Sequence, residues 1–284
     1  MAATLIDGKD LARRLKEKMR TEADALKASG VQPGLAVILV GNDPASRSYV
    51  SNKEKDCAEV GIRSFEYALP EETPEEELLA LIDQLNADPH VHGILCQLPV
   101  PRHINETKVL ERIDPAKDAD CFHPQSAGRL MSGNGTFLPC TPAGVMEMLK
   151  DAGVEVAGKD CVVVGRSNIV GKPMAMLLLQ ANGTVTICHS KTKNLREVCA
   201  RADILVAAIG RAKMIDASYV KEGAVVIDVG INRDADGKMV GDVDFNSVAP
   251  KASFITPVPG GVGPMTRAML LANTLRAARA SARG

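Results

Sequence analysis

One segment, residues 161–190, restricts the fold of this chain more than any other. It reads CVVVGRSNIVGKPMAMLLLQANGTVTICHS. A short apolar strand leads into a turn with Gly165 and Gly171, then a helix, then a β-branched strand ending at His189. In such a strand–helix–strand unit, a dinucleotide pyrophosphate binds where the first strand turns into the helix N-terminus. The segment therefore predicts a dinucleotide-binding unit, although its glycine spacing differs from G-x-G-x-x-G.

The end of the second strand carries hydroxyl and cationic side chains. Proteins that bind the 2′-hydroxyl of NAD place Asp or Glu there, whereas this chain has His189, Ser190 and Lys191, with Arg166 in the preceding turn. These groups suit a 2′-phosphate, so the sequence favours NADP as cofactor. The alternative is a strand–helix–strand unit that binds no ligand and whose glycine only shapes the turn.

Composition narrows the class of protein. With 284 residues, 45% of them hydrophobic, the chain has room for two modest domains or one large one. Its net charge of −1 provides no basic field for a phosphate backbone, and aromatic residues make up only 3%. We therefore expect no nucleic acid partner. The polar start of the chain and the absence of a long apolar run predict neither a signal peptide nor a membrane partner.

The seven cysteines and five histidines show no metal-ligand spacing. The cysteines are scattered and form no C-x-x-C pair, which is typical of reduced thiols in a cytoplasmic protein. His90 and His92 share a predicted strand face, but no third ligand stands at a suitable spacing. We expect no metal.

Strand-like and helix-like segments alternate along most of the chain. Residues 35–40, 65–69 and 93–98 are predicted strands separated by helices, and further strands begin near Cys161, Thr184, Ile204 and Ala224. This alternation predicts the α/β class with parallel sheets. Residues 114–140, rich in Asp, Pro and Gly, interrupt the pattern. We place a first domain at 1–139, completed by a C-terminal helix at 265–284, and a Rossmann-type domain at 140–264.

Several side chains are candidates for chemistry. Tyr49 and Lys53 lie four residues apart and project from one helix face. A lysine shielded from water has a lowered pKa and can transfer protons near neutrality. Because Lys53 stands among Glu54, Lys55 and Asp56, a solvated helix face is the alternative.

Two further candidates follow buried or turn-forming segments. Gln97 comes directly after a predicted strand, at the edge where α/β sheets bind ligands; a strand-end cap is the alternative. Asp120 could accept hydrogen bonds from the paired N–H donors of an amino-pyrimidine ring, or could be an exposed turn acid. Residues 257–264, PVPGGVGP, form a small and rigid backbone that lets a ligand come close.

Five motifs, in order, resemble the bifunctional methylenetetrahydrofolate dehydrogenase/cyclohydrolase family over nearly the whole chain. They are VGNDPAS at 40–46 with Tyr49 and Lys53, the tripeptide Asn86-Ala87-Asp88 leading to QLP at 97–99, KDAD at 117–120, VGRSNIVGKP at 164–173, and PGGVGPMT at 259–266.

The resemblance implies oxidation of 5,10-methylenetetrahydrofolate with NADP, then hydrolysis to 10-formyltetrahydrofolate, in one-carbon metabolism that serves purine, methionine and histidine biosynthesis. It implies a folate cleft between two domains and a cytoplasmic homodimer joined through the cofactor domain. Lys53 and Gln97 serve the one-carbon bridge, Tyr49 orients the folate rings, and Asp120 holds the pterin edge. The remaining implied contacts are Pro259, Gly260 and Gly261 for the substrate, and Gly165, Arg166, Ser167, Ile169, Ser190 and Ile231 for NADP.

Two positions depart from the family pattern. The family commonly has Gly where this chain has Cys121. If the backbone there has positive φ, a Cβ costs about 1–2 kcal/mol. Cys96 replaces the usual aliphatic residue before Gln97 and is expected to pack as a small hydrophobe.

There are two alternatives, one of them from a different functional class. A monofunctional dehydrogenase that lacks the hydrolytic step and prefers NAD is disfavoured because Lys53 and Gln97 are retained and Arg166 and Ser190 are present. A non-catalytic folate or dinucleotide sensor is disfavoured because Lys53 is retained.

Overall fold

The computed structural model describes residues 3–42 and 44–282, with the backbone alone for 44–49 and 51. The chain forms two compact units, one of residues 14–140 with 267–284 and one of residues 1–13 with 141–266. The helices are α1 (Gly8–Ala28), α2 (Pro44–Val60), α3 (Glu75–Ala87), α4 (Glu106–Arg112), α5 (Pro124–Met131), α6 (Cys140–Asp151), α7 (Gly171–Gln180), α8 (Leu195–Cys199), α9 (Phe245–Val248) and α10 (Val262–Ser281). The strands are β1 (Thr4–Leu5), β2 (Gly34–Val40), β3 (Arg63–Leu69), β4 (Gly93–Cys96), β5 (Asp160–Val164), β6 (Thr184–Cys188), β7 (Ile204–Ala207), β8 (Val225–Asp228), β9 (Asn232–Arg233), β10 (Met239–Val240) and β11 (Phe254–Ile255).

The unit of residues 14–140 and 267–284 contains a parallel sheet in the order β3–β2–β4. Every residue of β2 is buried, as expected for a central parallel strand covered on both faces. Its apolar side chains pack with buried residues of α3 and α4, including Leu78, Ile82 and Val109. The sheet is extended by a parallel bridge between Ile94 and Asp118. This bridge brings the segment after Asp118 to the carboxyl end of β4.

The other unit contains a six-stranded sheet in the order β1–β11–β8–β7–β5–β6. All its neighbouring strands are parallel, which confirms the predicted α/β class with a parallel, Rossmann-type sheet. Its central strands β7 and β8 are buried at every residue. The two-residue strand β1 pairs with β11, so the start of the chain belongs to this sheet.

Some elements were not predicted. The Asp-, Pro- and Gly-rich segment 114–140 contains a helix, α5, in which His123 provides the N-cap by accepting a hydrogen bond from Gln125 N. An antiparallel pair, β9–β10, follows β8. None of the helices that the structure describes is long and apolar enough to cross a membrane.

Candidate active site

Lys53 is buried in α2, with 6% of its surface exposed, and Asp56 one turn further on is 7% exposed. Glu54 and Lys55 between them are exposed. The alternative of a solvated helix face is therefore wrong for Lys53. Tyr49 lies one turn earlier in α2, and its side chain is outside the residues that the structure describes.

Gln97 is the hydrogen-bond partner of Lys53. The Lys53 Nζ donates to Gln97 Oε1 at 2.8 Å, and Gln97 Nε2 donates to the carbonyl oxygen of Leu98 at 2.8 Å. Its backbone N–H donates to the carbonyl of Ile38 in β2. The side-chain amide of Gln97 is thus held by hydrogen bonds at both its oxygen and its nitrogen, and the oxygen faces the Lys53 amine. Position at the carboxyl end of β4 was the signal that pointed to this residue.

Asp120 lies in the same unit and interacts electrostatically with Lys53. The loop before it is fixed by Asp118, whose buried carboxylate accepts from Phe122 N, His123 N and the Ser126 hydroxyl at 2.8–3.1 Å. Asp118 thereby sets the course of the backbone that carries Asp120.

Burial governs the protonation of this group of side chains. It lowers the pKa of Lys53, because the ammonium loses solvation, although the nearby Asp120 carboxylate opposes the shift. Burial likewise raises the pKa of Asp120, with Lys53 and the Cys140 thiol opposing it. An amine with a lowered pKa beside a hydrogen-bonded amide can accept a proton from water and return it.

Asp56 and Cys140 belong to this site, and the sequence reasoning did not single them out. Asp56 forms ion pairs with Lys16 of α1 at 3.0 Å and with Arg267 of α10 at 3.2 Å. These contacts hold α2 one turn after Lys53. The Cys140 thiol donates to the carbonyl of Ala119 at 3.3 Å, and burial raises its pKa well above the ordinary value. The Lys53–Asp56 spacing of three residues is the signal that could have identified Asp56.

Cys121 has φ = +62°, which is the left-handed conformation that the sequence analysis anticipated. Its side chain is buried beside Phe137 and Ala277, and its Sγ lies 3.5 Å from the Phe137 carbonyl oxygen. Its neighbour Asp120 remains close to Lys53, so the departure from glycine does not remove the carboxylate from the site. Cys96 is buried in the apolar cluster around β2 and β4, as expected.

The turn after β5 has the close backbone packing that a dinucleotide site requires. Gly165 has φ = +139°, and a Cβ there would lie 2.2 Å from the carbonyl oxygen of Ala208, so no other residue fits. The Ser167 hydroxyl accepts hydrogen bonds from Val170 N and Gly171 N at 3.1 and 3.3 Å. Ser167 therefore caps the start of α7 and fixes the turn.

Arg166 and Ser190 occupy equivalent places on neighbouring strands. Val164 of β5 pairs with Cys188 of β6, and each of the two candidates follows its strand by two residues. Both are exposed. Ile169 and Ile231 are also exposed, at 38% and 51%. These residues leave polar, cationic and apolar side chains accessible at the carboxyl edge of the sheet, where ligands of α/β folds bind.

Residues 259–261 lie in the unit that contains the six-stranded sheet. Gly260 has φ = +105°, and its carbonyl accepts a hydrogen bond from Lys9 N at 3.0 Å. A Cβ on Gly261 would lie 2.5 Å from the Pro257 carbonyl oxygen. The tight backbone of this segment is thus needed for packing against the start of α1 and within its own turn.

The cysteines and potential metal ligands complete the description. All seven cysteines are free and buried, as predicted. Among the residues that the structure describes, no group of three or more His, Cys, Asp or Glu side chains is placed to hold a metal ion.

The two units define a class of protein: a two-domain α/β protein with a Rossmann-type dinucleotide-binding sheet and a buried lysine–amide pair. Residues 6–120 match the catalytic domain of tetrahydrofolate dehydrogenase/cyclohydrolase, and residues 139–282 match its NAD(P)-binding domain. The chain belongs to the tetrahydrofolate dehydrogenase/cyclohydrolase family.

Relatives match along the whole length of the chain. The bifunctional protein FolD of Acetivibrio thermocellus is 61% identical over 283 residues, covering 100% of this chain and 99% of that protein. The solved FolD dehydrogenase/cyclohydrolase of Campylobacter jejuni is 52% identical, with TM-score 0.96 and coverage of 98% and 99%. That of Trypanosoma brucei, in complex with NADP and an inhibitor, is 39% identical, with TM-score 0.96 and full coverage of both chains.

Proposed function

We propose that this chain oxidises 5,10-methylenetetrahydrofolate to 5,10-methenyltetrahydrofolate with NADP and hydrolyses the product to 10-formyltetrahydrofolate. The observation that carries the proposal is the buried Lys53, hydrogen-bonded to Gln97 at 2.8 Å. A reaction with water needs a group that moves protons, and this amine is the group suited to that task. The full-length match to bifunctional relatives supports the same reaction pair.

When bound, NADP would supply the hydride acceptor: a hydride, which is a proton with two electrons, would leave the methylene bridge of the folate, and a methenyl cation would remain. The unit of residues 1–13 and 141–266 suits the cofactor, because Gly165 lets the turn after β5 pack tightly on Ala208 after β7, at the carboxyl edge of the parallel sheet. Arg166 and Ser190 are proposed to bind the 2′-phosphate, while Ser167, Ile169 and Ile231 line the site. Their places at the ends of β5, β6 and β8 support these roles.

Lys53 is proposed to act as the base for the water that attacks the methenyl carbon. A new C–O bond forms, and the amine accepts the proton that the water releases. The proton then passes to the folate nitrogen whose bond to that carbon breaks. As that bond breaks, the hydroxyl of the adduct loses its proton to Lys53 and from there to solvent, the formyl C=O forms, and the formyl group stays on the other nitrogen. A cationic substrate further disfavours the ammonium form of Lys53, so the amine stays available as a base. Gln97 orients it.

Asp120 is proposed to accept the paired N–H donors of the pterin ring, and Tyr49 to orient the folate rings. Burial raises the pKa of Asp120, and the hydrogen bond from the Cys140 thiol opposes that shift and helps to keep the carboxyl ionised. Pro259, Gly260 and Gly261 are proposed to contact the substrate. Residues 14–140 with 267–284 would then form the folate-binding domain, and residues 1–13 with 141–266 the cofactor domain.

The assembly and location are also proposals. β6 ends the described sheet and pairs with β5 only, and Ile187 on it and Leu179 on α7 are exposed at 38% and 54%. This apolar edge supports a homodimer joined through the cofactor domain. Seven buried free thiols support a reducing, cytoplasmic location. A net charge of −1 supports folates, rather than nucleic acid or membranes, as partners in one-carbon metabolism.

The test is the Lys53→Met variant, assayed separately for hydrolysis of methenyltetrahydrofolate and for NADP reduction. Loss of a proton-transferring group costs about 10²–10⁴-fold in rate, so hydrolysis should fall by at least about 10²-fold. Lys55→Met is the matched control, because that lysine is exposed on the same helix, and it should hydrolyse at the wild-type rate. A wild-type rate of hydrolysis in Lys53→Met would refute the proton-transfer role of this lysine. A wild-type chain that reduces NADP but does not hydrolyse methenyltetrahydrofolate would favour a dehydrogenase without a hydrolytic step.

A further inference from the structure

Two aspartates, Asp228 and Asp242, are buried together in the unit that carries the proposed cofactor site. They are 4% and 0% exposed. Asp228 is the last residue of β8, and its carboxylate accepts from Gly230 N, Asp242 N and Val243 N, each at 2.9 Å. Asp228 therefore fixes both the segment after β8 and the backbone of Asp242. These three backbone hydrogen bonds offset the solvation that the buried carboxylate loses.

Asp242 collects four neutral donors around its carboxylate. Ile209 N and Gly210 N donate to Oδ2 at 2.6 and 3.0 Å, and Arg211 N donates to Oδ1 at 2.8 Å. The fourth donor is Asn232 Nδ2, also to Oδ1, at 2.9 Å. Three successive backbone N–H groups converging on one point form a concavity suited to an anion. Here the protein supplies the anion itself.

The segments that Asp242 holds are those next to the proposed dinucleotide. Residues 209–211 follow β7, the neighbour of β5, and the Ala208 carbonyl just before them is the group that packs against Gly165. Asn232 follows Ile231, one of the proposed cofactor contacts. Asp242 therefore joins the loops after β7 and β8 at the carboxyl edge of the sheet, and the loop after β7 packs in turn against Gly165 after β5.

Two glycines leave room for this pair of carboxylates. A Cβ on Gly230 would lie 2.3 Å from Asp242 Cγ, and a Cβ on Gly241 would lie 1.8 Å from Asp228 Oδ2. Cβ atoms essentially never lie within 3 Å of another non-bonded heavy atom, so both positions exclude any larger residue. The segment from Asp228 to Asp242 is built around the two buried charges.

We propose that Asp242 is a positioning residue for the dinucleotide cofactor: its carboxylate holds residues 209–211 and Asn232 in the arrangement that binds NADP. Asp228 supports it by fixing its backbone. The proposal rests on the cofactor site proposed above and adds a residue that touches no ligand itself. If the proposal is right, loss of Asp242 should impair NADP reduction and spare hydrolysis, because hydrolysis of the methenyl compound uses no dinucleotide.

The test compares Asp242→Asn with Asn232→Ala. In Asp242→Asn, one carboxylate oxygen becomes an NH₂ group, and in either orientation that group faces two donors. The variant thus loses two hydrogen bonds, and the KM for NADP should rise about tenfold or more. Asn232→Ala removes one donor, so the KM should rise by a smaller factor, about threefold. In both variants kcat for hydrolysis should stay within about twofold of wild type, because a positioning role leaves the folate chemistry intact.

Asp203→Asn is the matched control. Asp203 stands at the other end of β7 and accepts a backbone hydrogen bond from Asp160 N at 2.9 Å, so its replacement should leave the KM for NADP unchanged. Arg166→Ala, run in parallel, tests the cofactor site itself and should raise that KM.

Three outcomes would overturn the proposal. A wild-type KM in Asp242→Asn, with a raised KM in Arg166→Ala, would remove the positioning role while the cofactor site stands. Equal losses of hydrolysis and NADP reduction in both Asp242→Asn and Asn232→Ala would show a general structural role. An unchanged KM in Arg166→Ala would refute the proposed cofactor site, and the positioning role would fall with it.

Discussion

The left-handed backbone at Cys121 predicts that Cys121→Gly has a larger free energy of unfolding than Cys121→Ala, which reverses the usual order of these two substitutions. At ordinary helix or strand positions, a protein with glycine is less stable than one with alanine by about 0.5–1 kcal/mol, because glycine has more conformations to lose when the chain folds. Cys121 has φ = +62°, where a Cβ costs about 1–2 kcal/mol. Cys121→Gly removes that strain, whereas Cys121→Ala retains it.

The difference between the two variants isolates the strain. Both lose the thiol, with its contacts to Phe137 and Ala277, so that loss largely cancels. A strain of about 1–2 kcal/mol, less an entropy difference of about 0.5–1 kcal/mol, makes the glycine variant the more stable by up to about 1.5 kcal/mol.

The assay is urea unfolding followed by circular dichroism, with the free energy of unfolding extrapolated to water. Cys57 provides the control, because it is a buried thiol in the last turn of α2. There Cys57→Ala should be more stable than Cys57→Gly by about 1 kcal/mol. If alanine were also the more stable residue at position 121, the strain argument would be refuted.

Two further predictions concern Lys53 and the proposed homodimer. Because burial lowers the pKa of Lys53, its neutral form grows as pH rises through that lowered pKa, so the hydrolysis rate should rise and level off below the ordinary pKa of a lysine. Since the unfolded lysine holds its proton more tightly, the free energy of unfolding should also rise with pH between the two pKa values, and Lys53→Met should lack this rise. A pH–rate profile measures the effect on hydrolysis, and urea unfolding at several pH values measures the effect on stability. A hydrolysis rate independent of pH would contradict the first expectation. Ile187→Glu places a charge on the exposed edge of β6 and should shift the protein from dimer to monomer in light scattering, whereas a wild-type mass would exclude that edge as the interface.

The long apolar and amphipathic segments were predictable because burial imposes a simple pattern on them. β2 is apolar at every position, as a central parallel strand must be, and α2 follows it directly. The two-residue strand β1 carries no such pattern, because its place in the sheet depends on pairing with β11, some 250 residues away along the chain. Helix α5 escaped prediction since its segment is rich in residues that favour turns.

Part of the candidate site could also be predicted from local sequence. The four-residue spacing of Tyr49 and Lys53 and the position of Gln97 after a strand both pointed to it. Burial of Lys53 could not be predicted, since its neighbours in sequence are charged. It depends on tertiary contacts such as the ion pairs of Asp56 with Lys16 and Arg267. The carboxylate of Asp242 was missed for the same reason, because its donors come from two separate segments, residues 209–211 and Asn232.

The central claim is most directly tested by measuring oxidation of 5,10-methylenetetrahydrofolate by the purified chain, with NADP and NAD in parallel, by absorbance. The account predicts turnover with a strong preference for NADP, because Arg166 and Ser190 stand where a carboxylate would select NAD. Equal or faster turnover with NAD would contradict the role of these two residues in binding the 2′-phosphate. No turnover with either cofactor would contradict the proposed reaction itself.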